Sequence, residues 1–295
     1  MKDINTYQAD KSDIGMTLKG FLKSRLQFSH RSIVALKKSN GVTINGGSCH
    51  MNMILKEKDI IEVSMVDTES ENILPEQMEL DIVFEDEYII VLNKKPNMPV
   101  HPTRRHVMGT LANGLANYWM SLDKPIKIRP VNRLDKDTSG LVLFAKSAHI
   151  QHLLSFYVGK EEFEKEYIAV VHGKMEQAKG TIDLPIAREA ENAMKRVVRE
   201  DGDRAVTHFE TMAVLGEYSA VKIILETGRT HQIRVHMAHI GHPLLGDSMY
   251  GGIQGQIDRQ ALHAARMTML HPITKQWHTF IAPIPEDMQR LLGKV

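Results

Sequence analysis

The sequence contains a single cysteine, Cys49, among 295 residues. One thiol excludes an internal disulfide and any metal site built from several thiolates, and we expect His231 and His236 to make hydrogen bonds rather than to bind a metal. No apolar run approaches the roughly 20 residues of a membrane-spanning helix. The polar start, Met1 to Asp13, does not look like a secretory signal. These absences predict a cytoplasmic protein that has no metal and no membrane partner.

The sequence also lacks a dinucleotide-binding fingerprint and a phosphate-binding glycine loop, so we expect no cofactor. Its 37 Lys and Arg nearly balance its 36 Asp and Glu, but a nearly neutral chain can still carry a basic face that binds phosphates. With 42% hydrophobic and 25% charged residues, the composition is that of a soluble folded protein. At this length we expect one large domain and a small accessory domain.

Acidic residues are absent from positions 14 to 56, where basic residues are frequent. Apolar residues recur at helical spacing after Thr17 and again after Ser29, so we expect these two residues to cap two short basic helices. The pair Asn40-Gly41 is typical of a helix end, and Asn45-Gly46 is typical of a tight turn between strands. The segment is therefore predicted to be a small helical and stranded module, residues 1–66, with a basic surface.

The charge changes sign between Asp67 and Glu79, where acidic residues lie on both sides of Pro75 and no basic residue occurs. We interpret residues 67–79 as a linker and residues 80–295 as a larger domain. Its predicted strands are short apolar runs separated by polar turns, and its predicted helices lie at residues 149–157 and 228–240. The predicted strands of this domain span residues 82–84, 88–92, 141–144, 167–171 and 220–225.

Asp135 lies in the segment Arg133-Leu134-Asp135-Lys136-Asp137-Thr138-Ser139-Gly140, in which turn-forming residues follow the carboxylate. If this segment is extended, Arg133 projects to the same face as Asp135, and a nearby guanidinium favours the ionised carboxylate. An ionised carboxylate can attack an electrophile. Taken alone, the segment favours a plainer interpretation, in which Asp135 belongs to a turn or caps a helix.

The longer segment from Pro130 to Leu141 resembles the catalytic-loop motif of the RluA-type pseudouridine synthases, although many members have histidine where this chain has Asn132. The similarity extends from about residue 80 to residue 285. Residues 14–63 resemble the RNA-binding domain first described in the ribosomal protein called S-four. The other segments that resemble family motifs, in the expected order, are 93–102 (with Asn97 where glycine is usual), 165–173, 228–236, 241–247 and 262–264.

The resemblance implies an α+β protein with the mixed, largely antiparallel central sheet of a pseudouridine synthase, plus a small N-terminal α/β RNA-binding domain. It implies that Asp135 is the catalytic carboxylate, that Tyr167 packs against the target base and that Arg234 pairs with Asp135. Basic side chains near an RNA neutralise phosphates without reading sequence. The residues expected to bind substrate are Arg133, Lys165, Arg229 and Ile233 of the large domain, and Lys19, Lys23, Arg31, Lys37 and Lys38 of the basic module.

The function implied by the resemblance is the isomerisation of uridine to pseudouridine in structured RNA. Large-subunit ribosomal RNA is the first expected target and transfer RNA the second, and nothing in the sequence demands more than a monomer. Two rival functions stay open at this point. One is a non-catalytic RNA-binding protein that works through its basic module. The other is a glycosidase that releases free uracil, and a role in ribosome assembly could accompany any of these functions.

Overall fold

The computed structural model describes residues 4–28, 30–64, 73–103, 106–123 and 126–293, without the side chains of Ile4, Asn5 and Arg31. Over this part of the chain the strands form a four-stranded N-terminal sheet, a nine-stranded central sheet and a two-stranded hairpin. One pair of neighbouring strands in the central sheet is parallel, and its other pairs are antiparallel. The predicted α+β fold with a mixed, largely antiparallel central sheet is confirmed.

The N-terminal unit, residues 4–64, has two short helices and a four-stranded sheet. Thr17 caps the first helix as predicted, because its side chain accepts a backbone N–H from the first turn. Asn40 ends the second helix with a φ of 49°, and Asn45 and Gly46 form the predicted turn with φ values of 52° and 74°. Ser29, the second predicted cap, lies outside the described residues. The elements are β1 (Ile4–Gln8), α1 (Leu18–Ser24), α2 (His30–Lys38), β2 (Val42–Ile44), β3 (Gly47–Ser48) and β4 (Ile60–Ser64), and the sheet order is β1-β4-β2-β3.

The N-terminal unit has an apolar core and a basic surface. Apolar side chains from both helices and from β2 and β4 form one buried cluster. Arg25 pairs with two acidic residues that precede the basic segment. Its guanidinium lies 2.8 Å from the Asp10 carboxylate and 3.7 Å from the Asp13 carboxylate. The Arg31 side chain lies outside the described residues. The exposed basic residues of the two helices include Lys19, Lys23, Lys37 and Lys38.

The described half of the predicted linker packs on the helix α3 (Leu111–Ser121). Residues 73–79 form no regular helix or strand. The Asn113 side chain donates to the Leu74 carbonyl at 2.7 Å, and the Gly109 N–H donates to the Glu76 carboxylate at 2.6 Å. The segment is thus fixed against the large domain. The boundary at residues 66 and 67 stays a prediction, because residues 65–72 lie outside the description.

Each strand predicted in the large domain is present. The predicted helix at 228–240 begins later, at Gln232, because residues 228–231 form a turn in which His231 has a left-handed φ of 59°. The central sheet has the order β5-β6-β7-β14-β8-β13-β12-β9, with β15 paired to β14. The elements are β5 (Ile82–Glu85), β6 (Ile89–Lys94), β7 (Ser139–Ala145), α4 (Ala148–Tyr157), β8 (Phe163–His172), β9 (Lys179–Asp183), β10 (Ile186–Arg188), β11 (Arg196–Val198), β12 (Val206–Leu215), β13 (Tyr218–Leu225), α5 (Gln232–His239), β14 (Leu262–Leu270), β15 (Trp277–Ile281) and α6 (Glu286–Leu292).

The parallel pair β7 and β14 lies near the middle of the central sheet, and the loop containing Asp135 leads directly into β7. Gly140 allows this pairing. Its φ is 110°, and a Cβ built there would lie 2.3 Å from the Ala264 carbonyl oxygen, so any side chain would clash with β14.

None of the described helices has the length and apolar character needed to cross a membrane.

Candidate active site

Asp135 belongs to a turn whose backbone is held by two cations. The Asp135 carbonyl accepts the Thr138 N–H at 3.1 Å. Lys94 Nζ donates to the carbonyl of residue 136 at 2.9 Å, and Arg259 Nη1 donates to the carbonyl of residue 137 at 3.1 Å. Burial lowers the pKa of Lys94 to about 7. Lys94 comes from β6 and Arg259 from the approach to β14, so two other parts of the chain fix this loop.

Arg234 brings a buried guanidinium to Asp135. Its Nη1 lies 3.1 Å from Asp135 Oδ2, while its Nε and Nη2 bond the two carboxylate oxygens of Asp247 at 2.7 and 2.8 Å. Burial acts to lower the pKa of Arg234, but the hydrogen bonds and charges of Asp247 and Asp135 outweigh this effect and raise it. Asp247 therefore fixes the guanidinium, and Nη1 is directed at Asp135. The contact predicted between Arg234 and Asp135 is present.

His231 approaches the same oxygen of Asp135. Its Nε2 lies 3.7 Å from Oδ2. Arg234 and His231 therefore both lie nearest to Oδ2. Within the described part of the chain, Oδ1 has no hydrogen-bond partner. The Asp135 side chain is 27% exposed, and Oδ1 is its carboxylate oxygen that the protein leaves without a partner.

Tyr167 and Ile233 share an apolar cluster, and Tyr167 lies close enough to Asp135 for its charge to act on the phenol. Tyr167 lies in the middle of β8, Ile233 lies in the first turn of α5, and both are buried in one apolar cluster. Burial, together with the negative charge of Asp135, raises the pKa of Tyr167. The phenol consequently stays protonated at neutral pH, and the residue offers an uncharged aromatic ring near Asp135.

Lys165 lies two residues before Tyr167 on β8, so its side chain emerges on the same face of the sheet. The residue is 9% exposed, and burial lowers its pKa to about 8. Its Nζ lies 5.8 Å from the centre of the Phe163 ring, and it has no hydrogen-bond or ion-pair partner among the residues that the structure describes. A buried ammonium without an acceptor is costly. The position therefore suits a ligand that brings a phosphate or carbonyl oxygen.

The remaining predicted cations of the large domain lie outside this cluster. Arg133 is exposed and makes no ion pair with Asp135. The expectation that these two side chains share a face assumed an extended segment, and it stays a prediction, because residues 133–135 belong to no regular strand. Arg229 donates to the Arg204 carbonyl at 3.1 Å and lies 3.4 Å from the Asp203 carboxylate.

Asn132, at the position where many relatives have histidine, is a buried structural amide. Its Nδ2 donates to the Leu141 carbonyl at 3.1 Å, and its Oδ1 accepts the Leu143 N–H at 2.8 Å. Both polar ends of the side chain are therefore used by β7. The amide anchors the loop that carries Asp135 and leaves the chemistry to other residues.

Sequence reasoning gave no role to Lys94, Asp247 and Tyr250. The first two lie within segments that resemble family motifs, but a lone polar residue in a turn gives no periodic signal that it will be buried and paired. Tyr250 is hydrogen-bonded to His231 and packs against Arg234. In the described part of the chain, no three His, Cys, Asp or Glu side chains are grouped so that they could hold a metal ion.

The fold and the site together define a class of enzyme. A partly exposed carboxylate contacted by a buried arginine, near a buried tyrosine and the centre of a mixed sheet, agrees with what the sequence resemblance implies for an enzyme that isomerises uridine. Residues 88–239 match the family described as RNA pseudouridylate synthase.

Individual relatives agree with this match. A Bacillus subtilis (strain 168) protein named as the uncharacterized RNA pseudouridine synthase YjbO is 40% identical over 94% of this chain and 98% of its own length. Ribosomal large subunit pseudouridine synthase D of Escherichia coli (strain K12) is 41% identical over 74% of this chain and 71% of its own. The chain belongs to the RluA-type pseudouridine synthase family, and it is an RNA pseudouridine synthase, an isomerase.

Solved structures share the fold. The human RNA pseudouridylate synthase domain containing 4 superimposes with a TM-score of 0.59 at 20% identity, over 72% of this chain and 91% of that chain. The human RNA pseudouridylate synthase domain containing 1 gives a TM-score of 0.57 at 24% identity, over 70% and 83%.

Proposed function

We propose that this synthase isomerises specific uridines of large-subunit ribosomal RNA, with Asp135 as the catalytic carboxylate and Tyr167 and Arg234 beside it. The observation that carries the site assignment is the 3.1 Å contact between the buried Arg234 guanidinium and Asp135 Oδ2, which leaves Oδ1 open. The 41% identity to the Escherichia coli protein named for the large ribosomal subunit supports the choice of target.

The reaction constrains what Asp135 does. The bond between ribose C1′ and N1 of uracil breaks, and a bond between C1′ and C5 forms. N1 gains a proton, C5 loses one to solvent, and the composition of the RNA does not change. Attack of Asp135 on C1′, its attack on C6 and its removal of the 2′ proton are three possible first steps, and each requires a charged carboxylate with a free oxygen. The positive charge of Arg234 stabilises that carboxylate.

The detached base must be held while it rotates. The target nucleotide first leaves its stack at a cost of the order of a few kcal/mol, and the Tyr167 ring compensates by stacking on the base. Ile233 closes the apolar side of the same pocket. The Lys165 ammonium donates to an oxygen of the target nucleotide, which supplies the acceptor that the protein itself does not provide at this position.

A wider basic surface holds the surrounding RNA. Arg133 and Arg229 lie near the catalytic loop and α5 and are exposed enough to contact phosphates. Residues 14–63 act as an S-four-type RNA-binding domain. Its exposed lysines attract phosphates without reading the sequence. The residues in this role are Lys19, Lys23, Lys37 and Lys38, with Arg31, whose side chain lies outside the described residues.

Mapping pseudouridines in ribosomal and transfer RNA tests the proposed target. RNA is compared from cells that carry the gene, cells that lack it, and cells that carry only the Asp135→Asn allele. We expect at least one large-subunit pseudouridine to be present in the first cells and absent from the other two. If pseudouridines are lost only from transfer RNA, the target is transfer RNA and the proposed ribosomal target is wrong. A pseudouridine retained in cells with Asp135→Asn would contradict the assignment of Asp135 as the catalytic carboxylate.

A further inference from the structure

His231 and Tyr250 form a hydrogen-bonded pair beside Asp135 that the reaction scheme does not use. His231 Nδ1 and Tyr250 Oη are 2.8 Å apart, and the two rings meet edge to face with their centres 5.7 Å apart. The guanidinium carbon of Arg234 lies 5.0 Å from the centre of the same Tyr250 ring. One tyrosine thus contacts both groups that approach Asp135 Oδ2.

The partners of the Tyr250 hydroxyl bear on the tautomer of His231. The backbone N–H of Arg196, the first residue of β11, can only donate, and it donates to Tyr250 Oη at 2.9 Å. The Tyr250 oxygen keeps a second lone pair, so either the hydroxyl or His231 Nδ1 can be the donor in the bond between them. A neutral imidazole that accepts at Nδ1 carries its proton on Nε2. Burial lowers the pKa of His231, although the charge of Asp135 acts in the opposite direction, so the neutral ring is favoured.

Nε2 faces the Asp135 carboxylate at 3.7 Å from Oδ2, and a negative charge there favours the tautomer that carries its proton on Nε2. This distance exceeds a hydrogen bond, but catalytic hydrogen bonds are often long until substrate closes the site. His231 also has a left-handed φ of 59°, which a residue keeps only where its surroundings determine it. Here the surroundings are the Tyr250 hydroxyl and the turn closed by the Arg229 N–H on Gln232 Oε1 at 3.0 Å.

We propose that Tyr250 and His231 are positioning residues for the catalytic carboxylate. Tyr250 orients the imidazole, and the Nε2–H of His231 joins Arg234 in holding Oδ2, so that Oδ1 is directed at the ribose or the base. This inference rests on the proposed catalytic role of Asp135. It gives His231 a function in the rate of the chemical step and none in RNA affinity.

Paired substitutions at position 231 separate the two nitrogens of the ring. The amide of glutamine in His231→Gln reaches the place of Nε2 and keeps a donor for Asp135, whereas the amide of His231→Asn reaches only the place of Nδ1. Tyr250→Phe removes the hydroxyl and keeps the ring against Arg234. Values of kcat and KM are measured for the full-length protein by tritium release from RNA labelled at uracil C5. Thermal unfolding of each variant is measured in parallel.

We expect kcat to fall by roughly tenfold or more in His231→Asn and Tyr250→Phe, as for loss of a hydrogen bond to a charged group, and by less than about threefold in His231→Gln. KM should stay unchanged in all three variants. His239→Gln, at an exposed position of the same helix, is the matched control and should behave as the parent.

Three results would overturn the inference. They are an unchanged kcat in His231→Asn and Tyr250→Phe, an equal loss of kcat in the Asn and Gln variants, and a raised KM with unchanged kcat. Asp135→Asn is assayed beside them. If it retains activity, the proposed catalytic role itself fails, whereas an inactive Asp135→Asn with a fully active His231→Asn removes only the positioning role.

Discussion

The N-terminal unit and the active site use charge in opposite ways. On α1 and α2 the lysines are exposed at the surface. In the active site the central ion pair is buried: the side chains of Arg234 and Asp247 are 8% and 1% exposed, and they lie 2.7 Å apart. Exposed cations attract a polyanion from many directions and are screened by salt. Buried charges act through fixed orientation, and breaking such a pair is costly.

This contrast predicts two kinds of mutational response. Changes on the basic surface should weaken RNA binding gradually and leave the chemical step intact. Changes around Asp135, Arg234 and Asp247 should remove activity or stability in large steps and leave RNA affinity nearly intact.

The largest effect is expected from Asp135→Asn. The amide keeps the size of the side chain but cannot act as nucleophile or base, so tritium release should fall on the order of 10³-fold or more. RNA affinity, measured by filter binding, should stay within about threefold of the parent. Asp258→Asn changes an exposed carboxylate and serves as the control. A comparable loss of tritium release in Asp135→Asn and Asp258→Asn would contradict the difference drawn between the active site and the exposed surface.

The next effect is on stability, through Asp247→Ala. Removing Asp247 leaves the buried Arg234 with only the partly exposed Asp135 as counter-ion, so we expect the free energy of unfolding in urea to fall by about 3 kcal/mol. The control is Asp201→Ala, which removes an exposed partner of Arg199 and should leave the free energy of unfolding nearly unchanged. Adding Arg234→Met to Asp247→Ala should recover part of the stability. Equal costs in Asp201→Ala and Asp247→Ala would contradict the assigned burial.

A pH effect is expected at Lys165. Burial lowers its pKa to about 8, so the ammonium is present below that pH and is lost above it. If the ammonium binds the target nucleotide, KM of the parent should rise between about pH 7 and about pH 9. Lys165→Met should have a raised KM without this pH dependence. Lys165→Arg, which stays charged over this range, should keep a low KM at the higher pH. A parallel rise in parent and Lys165→Arg would assign the titration to another group.

The smallest effect is expected from Lys19→Gln combined with Lys23→Gln. These residues are exposed one turn apart on α1, so we expect Kd for RNA to rise several-fold with kcat unchanged at saturating RNA. The dependence of log Kd on log salt should become shallower by about 0.7 to 0.9 for each phosphate that the protein no longer neutralises. Lys179→Gln with Lys222→Gln is the control, because both lysines already pair with Glu210. Equal weakening in both double variants would show a non-specific charge effect.

Much of the site could be predicted from sequence, because the segments around Asp135 and around Arg234 each resemble a motif of the RluA-type pseudouridine synthases. Together they anticipated a contact between residues 99 positions apart. The role of Asp247 could not be predicted in this way, since its burial and its pairing arise only when the turn before Tyr250 folds against α5. The strands at residues 179–215 were missed for a related reason, as β9, β11 and β12 bury few side chains and show little apolar alternation.

Nucleoside analysis of RNA incubated with the purified protein tests most directly whether one carboxylate detaches and recaptures the base. We expect each uridine consumed to appear as pseudouridine, with no free uracil and no change in RNA mass, and we expect Asp135→Asn to convert none. Release of free uracil, or equal pseudouridine from the parent and Asp135→Asn, would contradict isomerisation by this site.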